Sequence, residues 1–330
     1  MKHLSILLPV GQANLMKIVG ARELFEVANH HFTSTGRKAQ FEIQFVGCLD
    51  SYEFASGSLS IKPEILYSKL SRTDLIIIPA MDNSFEEVIS NNSGLIQWIA
   101  GQYRQGAQIA SLCTGAFLLA ATGLLNRKQC ATHWWAADSF RKMFPDVRLV
   151  IEKIITDEEG IYTSGGSFSA FNLLLHIVEK VYDRETAIGC AKGLELDMDR
   201  NSQSYFMIFS GQKDHKDQDV KYIQEFIEDN VSEKISVESL ADRFAINKRN
   251  LERRFKKATG NTPLEYIQRV KMESAKKNLE AGRKNVNDVM YDVGYSDVKA
   301  FRKIFKKITG LSPFDYKRKY TATAGGSEHH

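Results

Sequence analysis

The chain has 330 residues, 43% of them hydrophobic, and a formal net charge of +4, which is enough apolar material for two or three domains. No membrane-length apolar run and no secretory signal opens it. Its four cysteines (Cys48, Cys113, Cys130, Cys190) show neither CxxC spacing nor a ligand cluster, so no membrane partner, metal or cofactor is expected. A reducing cytoplasm fits this cysteine usage.

From the N-terminus, short apolar runs at residues 4–10, 41–46, 75–79 and 109–112 alternate with amphipathic helical stretches such as residues 86–105. Strands and helices in alternation predict an α/β unit, an open and mostly parallel sheet with helices on both faces. Residues 1–212 hold 19 Lys+Arg against 22 Asp+Glu, a balance of −3. Nothing in that balance suits a phosphate backbone.

The most informative segment of this half is residues 109–135, IASLCTGAFLLAATGLLNRKQCATHWW. An apolar strand runs into Cys113-Thr114-Gly115 and a helix follows at once, which is the strand-turn-helix setting of a nucleophile elbow. A side chain there stands above the sheet edge, and the positive end of the next helix is expected to favour a thiolate or a bound anion. His133 follows twenty residues later. A lone cysteine is more often a small buried hydrophobe, and only the surrounding turn sets Cys113 apart.

The run CTGAFLLAATGLLNRKQCATHW, supported by Tyr162-Thr163-Ser164-Gly165-Gly166 ahead of a helix at residues 169–181, resembles the class I glutamine amidotransferase-like, or PfpI-type, domains over residues 1–181. The resemblance implies a flavodoxin-like sheet and a family of hydrolases, chaperone-like enzymes and isocyanide hydratases. In those proteins an acidic residue from the first strand-helix loop sits beside the elbow cysteine. Here that loop reads GQANLMKIVGARELFEVANH, with Lys17 where isocyanide hydratases carry aspartate and Asn14 where other members carry glutamate; Arg127-Lys128 interrupts the usual glycine-containing turn. General acid-base work needs a group of suitable pKa within hydrogen-bond reach, and the carboxylate is missing. No catalytic residue is therefore assigned: Cys113 and His133 make a degenerate elbow, and Lys17, Cys113, Thr114, His133, Ser164 and Gly165 are expected to line an effector pocket.

Residues 198–206 (MDRNSQSYF) resemble the stretch that closes such a domain in bacterial regulators, giving a first domain of residues 1–209. Residues 210–219 (SGQKDHKDQD) are polar, lack any large apolar side chain, and predict a linker. The closing AGGSEHH reads as a cloning remnant, and residues 321–330 are set aside as a tail.

Residues 220–320 contain a repeat. Residues 236–266 return as residues 285–316 with one extra residue near Ser296, so that Phe255 pairs with Phe305, Lys256-Lys257 with Lys306-Lys307, Gly260 with Gly310, Pro263 with Pro313 and Tyr266 with Tyr316. Each copy reads as helix, tight turn, helix. Val237, Leu240, Ala241 and Phe244 lead to a break at Ala245-Ile246, after which Leu251, Phe255 and Ala258 resume the apolar face between an N-cap at Asn247 and a stop at Gly260. In the second copy Gly294 stands at the turn, where positive φ is expected. Arg249, Arg253, Arg254, Lys256 and Lys257 line one second helix; Lys299, Arg302, Lys303, Lys306 and Lys307 line the other. Residues 247–320 hold 20 Lys+Arg against 8 Asp+Glu, a balance of +12 where the whole chain has +4. A helix of this kind can enter a major groove, with its first turn at base edges and later lysines on phosphates.

This tandem, ending in GYSDVKAFRKIFKKITGLSPFDYKRKY, resembles the AraC family of transcription regulators. The resemblance implies one helix, here residues 267–279, linking two helix-turn-helix units. It carries base contacts to Arg249, Asn250, Glu252 and Arg253 in the first unit and to Val298, Lys299, Arg302 and Lys303 in the second. Leu251, Phe255, Phe301 and Phe305 are expected to be core. The chain is thus read as a cytoplasmic transcription regulator, a homodimer that binds an operator in double-stranded DNA, takes a small-molecule effector near Cys113 and admits RNA polymerase as a further partner. The rival readings are a cysteine-dependent hydrolase or hydratase fused to a DNA-binding module, and an architectural DNA protein.

Overall fold

The computed structural model describes residues 1–81, 84–198 and 202–321. Residues 199–201 of the stretch expected to close the first domain, and the AGGSEHH tail, lie outside the described residues. The chain divides into two compact units, Met1–Gln203 and a second beginning at Ser204.

The first unit is built on seven strands: β1 (Lys2–Leu8), β2 (Phe41–Gly47), β3 (Ile65–Leu66), β4 (Leu75–Ile78), β5 (Gln108–Ser111), β6 (Ile155–Glu158) and β7 (Ile161–Ser164). Their order in the sheet is β6-β7-β5-β4-β1-β2-β3, parallel throughout except for the β6-β7 hairpin. The four predicted apolar runs supply β1, β2, β4 and β5. All four residues of β4 are buried, the unbroken apolar run that a strand covered on both faces requires. From β1 the chain goes outward to β2 and β3, returns to β4 on the other side, and continues to β5 and β7. The reversal between β1 and β4 is a switch point, and the carboxyl ends of the strands there form the crevice where such folds place ligands.

Helices α1 (Leu15–Ser34), α2 (Phe85–Asn91), α3 (Ser93–Arg104), α4 (Ala116–Ala121), α5 (Ala137–Met143), α6 (Ser169–Val181) and α7 (Arg184–Gly193) cover this sheet. The single amphipathic stretch expected at residues 86–105 is two helices. Asn92 breaks it: the buried amide exchanges hydrogen bonds of 2.8 Å with the backbone of Val10, which holds the end of β1. A polar side chain with backbone partners outside its helix outcompetes helix continuity.

The second unit is helical: α8 (Gln218–Asp229), α9 (Val237–Arg243), α10 (Lys248–Thr259), α11 (Pro263–Glu280), α12 (Val286–Asp292), α13 (Val298–Thr309) and α14 (Pro313–Tyr320). It has two small cores. Ile223, Leu240, Leu251, Phe255 and Tyr266 fill the first, and Val289, Met290, Phe301, Phe305 and Tyr316 fill the second. Helix α11 serves both, with Ile267 and Val270 toward one and Met272, Ala275 and Leu279 toward the other. The linking helix expected at residues 267–279 therefore runs longer, because Thr262 and Glu265 close a capping box and Pro263 starts it.

Residues 210–219 do not behave as a free linker, and the first unit ends at Gln203 and not at residue 209. The Phe209 N–H donates to Glu273 at 3.0 Å, Gln224 donates to the Gln212 carbonyl at 3.1 Å, and Asp217 caps α8 while accepting from Arg254 at 2.6 and 2.9 Å. Polar composition suggested a solvated tether; these groups instead cap α8 and bond side chains of α8, α10 and α11.

Candidate functional site

The elbow forms where β5 ends. Leu112 is extended, Cys113 turns to φ +57°, and a short 3-10 turn over Cys113–Gly115 feeds α4. A cysteine in the left-handed region is strained by about 1–3 kcal/mol and persists only where its surroundings over-determine it. They do so here. The Cys113 N–H donates to Ser164 Oγ at 3.0 Å, its carbonyl accepts from Thr132 Oγ1 at 2.9 Å, and Thr114 Oγ1 bridges the backbone N–H and carbonyl of Met81. Gly115 is obligatory, since a Cβ there would stand 2.5 Å from the Pro79 carbonyl oxygen.

The pocket residues expected from sequence fall into two groups. Lys17 faces Cys113 and His133 closely enough for its charge to act on both, and Thr114 and Ser164 fix the turn from below. Gly165 does not face that group; a Cβ on it would strike Gln203, 2.9 Å away. Gln203 went unremarked in the sequence, where it is one polar residue among several. It is buried, accepts from the Gly166 N–H at 2.9 Å and donates to the carbonyls of Thr132 and Ile151 at 3.0 and 2.6 Å, tying the His133 segment to the loop before α6. The His133 ring then lies against Gly166, where a Cβ would come within 2.5 Å of it.

The electrostatics differ from the expected thiolate. Cys113 is only 6% exposed, and burial pushes its thiol up; the backbone groups of Ser167 and Thr114 and the Lys17 charge work in the other direction without overcoming it. A single turn of 3-10 helix leading into a six-residue helix has little dipole to set against that desolvation. Burial also draws Lys17 down from the ordinary lysine value, and burial together with the Lys17 charge pushes His133 down to about 4, so the imidazole is neutral at physiological pH. Asn14, in the position of the family's glutamate, caps α1 by accepting from the Lys17 N–H. It brings no charge.

In the second unit the two copies superpose in chemistry. Phe255 meets Tyr266 edge-on at 5.2 Å, and Phe305 meets Tyr316 at 5.5 Å; Tyr266 donates to Glu228 at 2.7 Å and Tyr316 to Glu280 at 2.6 Å. Ala245, at φ +50°, and Gly294, at φ +71°, make the same turn between the helices of each copy. Asn247 and Asp297 cap α10 and α13, both twelve residues long and both ended by a left-handed glycine. Leu251, Phe255, Phe301 and Phe305 are buried, as expected. On the open faces Arg249, Glu252, Arg253, Lys299, Arg302 and Lys303 are exposed, while Asn250 and Val298 are half-buried. Arg253 donates to Asn250 at 2.8 Å. Arg254, expected on the basic face, is turned away and held by Asp217 and Asp219. Lys271, on α11, is buried beneath both copies and donates to the carbonyls of Val231, Glu233 and Val293 at 2.5 to 2.8 Å.

The sheet order and elbow geometry have counterparts among known proteins: residues 7–180 match the DJ-1/PfpI family, over half of the chain. The chain belongs to the DJ-1/PfpI family. Residues 240–319 match a helix-turn-helix domain family, and the tandem is of AraC type. This DJ-1/PfpI protein is similar to the HTH-type transcriptional regulator GbdR of Pseudomonas aeruginosa, 23% identical over 269 residues that cover 80% of this chain and 71% of that one. The bifunctional transcriptional activator/DNA repair enzyme AdaA of Bacillus subtilis is 38% identical over 99 residues, 30% of this chain and 47% of its own length. A solved structure described as that of a candidate transcriptional regulator from Vibrio parahaemolyticus shares the fold of the first unit, at 24% identity and TM-score 0.53, over 58% of this chain and 98% of that one. Among the described residues no helix is long and apolar enough to cross a membrane.

Proposed function

We propose that this DJ-1/PfpI protein is a sequence-specific DNA-binding transcription regulator whose first unit senses a small molecule. The observation that carries the reading is the duplication of one exposed basic helix, α10 and α13, each on an identically built scaffold. Base edges are contacted by Arg249, Asn250, Glu252 and Arg253 from α10 and by Val298, Lys299, Arg302 and Lys303 from α13, and the flanking lysines take phosphates. The likeness over 80% of its length to an HTH-type transcriptional regulator supports this. Effector binding at Lys17, Cys113, Thr114, His133 and Ser164, homodimerisation, contact with RNA polymerase and a cytoplasmic location complete the proposal. The test is selection from random duplex DNA with the intact protein. One enriched sequence is expected; recovery of unrelated sequences would sink the reading.

The left-handed Cys113 favours one alternative, a surviving cysteine hydrolase or hydratase. The α1 loop supplies no carboxylate, burial pushes the thiol up, and among the described residues the groups that act on Cys113 include no carboxylate to take its proton. Turnover of an amide, ester or isocyanide that vanished in Cys113→Ser would establish that alternative.

A further inference from the structure

The five described buried side-chain polar atoms without a hydrogen-bond partner include Lys17 Nζ, and Lys17 is only 2% exposed. A buried ammonium normally sits against a carboxylate or a set of carbonyls, as Lys271 does here, because desolvation without compensation is severe. Lys17 has neither among the described residues. Its Nζ stands 5.5 Å from the centre of the Phe168 ring and 5.3 Å from that of Phe171, and the charge reaches Cys113 and His133, both neutral. Two aromatic faces stabilise a cation too weakly to replace an ion partner. The same first turn of α6 holds a second orphan, the Ser169 hydroxyl.

We propose that Lys17 is the anchor for a carboxylate, and that the effector of this protein is a small organic monoacid with an apolar body. The proposal rests on the effector-sensing role given to the first unit above. One uncompensated positive charge matches one negative charge, which excludes cationic ligands and disfavours diacids. Phe168 and Phe171 offer the apolar body two ring faces, and Trp135, whose ring lies 5.7 Å from that of His133, offers a third. Phe168 is 57% exposed, so one of the two rings against the ammonium lies at the surface. A carboxylate on Lys17 would supply the ion partner that the buried amine lacks.

The comparison that tests this uses isosteric pairs on the intact protein: butyrate against butyramide, and benzoate against benzamide, with butylamine, benzylamine and inorganic phosphate beside them. Tryptophan fluorescence and the melting temperature report binding, and the selected DNA duplex is titrated in the same samples. The acids are expected to bind about ten- to hundredfold more tightly than their amides, the range of a charge-assisted hydrogen bond, and Lys17→Met is expected to erase the difference. Equal affinity for acid and amide, tighter binding of the amines or of phosphate, or no binding by any probe would overturn the proposal. The acid-to-amide ratio in the unaltered protein decides the matter even if Lys17→Met fails to fold. DNA binding that persists alongside any of these results leaves the regulator reading intact, and its loss in all samples condemns that reading alone.

Discussion

At the scale of single residues, Cys113 shows how far a motif can be trusted. CTG after an apolar strand announced the elbow, and the positive φ of Cys113 is there. The thiolate that usually goes with it is not favoured, because burial outweighs a short helix dipole. Alkylation of the native protein with iodoacetamide, read by peptide mass, is therefore expected to label the half-exposed Cys48 before Cys113, Cys130 and Cys190, all three of which are buried. Preferential labelling of Cys113 would mean an open site. His133 gives a pH signature. Its folded pKa of about 4 lies below its ordinary value of 6.5, so between these the unfolded chain binds the proton more readily, and stability is lost as pH falls from about 6.5 to about 4. His133→Gln should flatten that part of a melting curve measured against pH; an unchanged slope would place the titration elsewhere. Lys17 was legible as a departure from the family pattern. That its amine has no hydrogen-bond partner among the described residues was not, since which side chains converge on a buried atom depends on α1 packing against α6.

Among the elements, periodicity was a good guide wherever one face of a helix decides its place. Leu251 and Phe255 of α10 and Phe301 and Phe305 of α13 are buried at the spacing the sequence displays, and the turn and cap residues fall where expected. Long polar side chains were the weak point. Arg254 stands one position from Arg253 and reads as its equal, yet Asp217 and Asp219 fold back to hold it. Asn92 splits one predicted helix because it bonds the backbone of Val10, just past β1 and more than eighty residues away in sequence. These contacts divide the recognition face from its support, and mutation separates them. Phe255→Ala should lower the stability of the second unit by about 3–5 kcal/mol. Arg253→Ala should leave melting nearly unchanged and weaken binding to the selected duplex by about 1–3 kcal/mol. Equal effects on melting would show that the faces of α10 are wrongly assigned.

Over the whole molecule, two units of opposite character share one chain, and the contrast was visible before any fold. Residues 1–212 carry −3, residues 247–320 carry +12, and the apolar period changes from strand-helix alternation to helix alone. The boundary was misplaced because residues 198–206 resemble the close of the first domain and residues 210–219 look like a solvated tether, while the Phe209 N–H, the Gln212 carbonyl and Asp217 brace α11, α8 and α10. Composition registers polarity; it does not register what the polar groups bond. The central claim is that the basic charge on α10 and α13 reads a particular duplex, and it is tested most directly by the affinity of the intact protein for its selected sequence and for a scrambled one across a salt series. A clear preference for the selected sequence is predicted, with log affinity falling against log salt by about 0.9 for each phosphate contacted. A flat salt response, or equal affinity for the two sequences at every salt concentration, would contradict it.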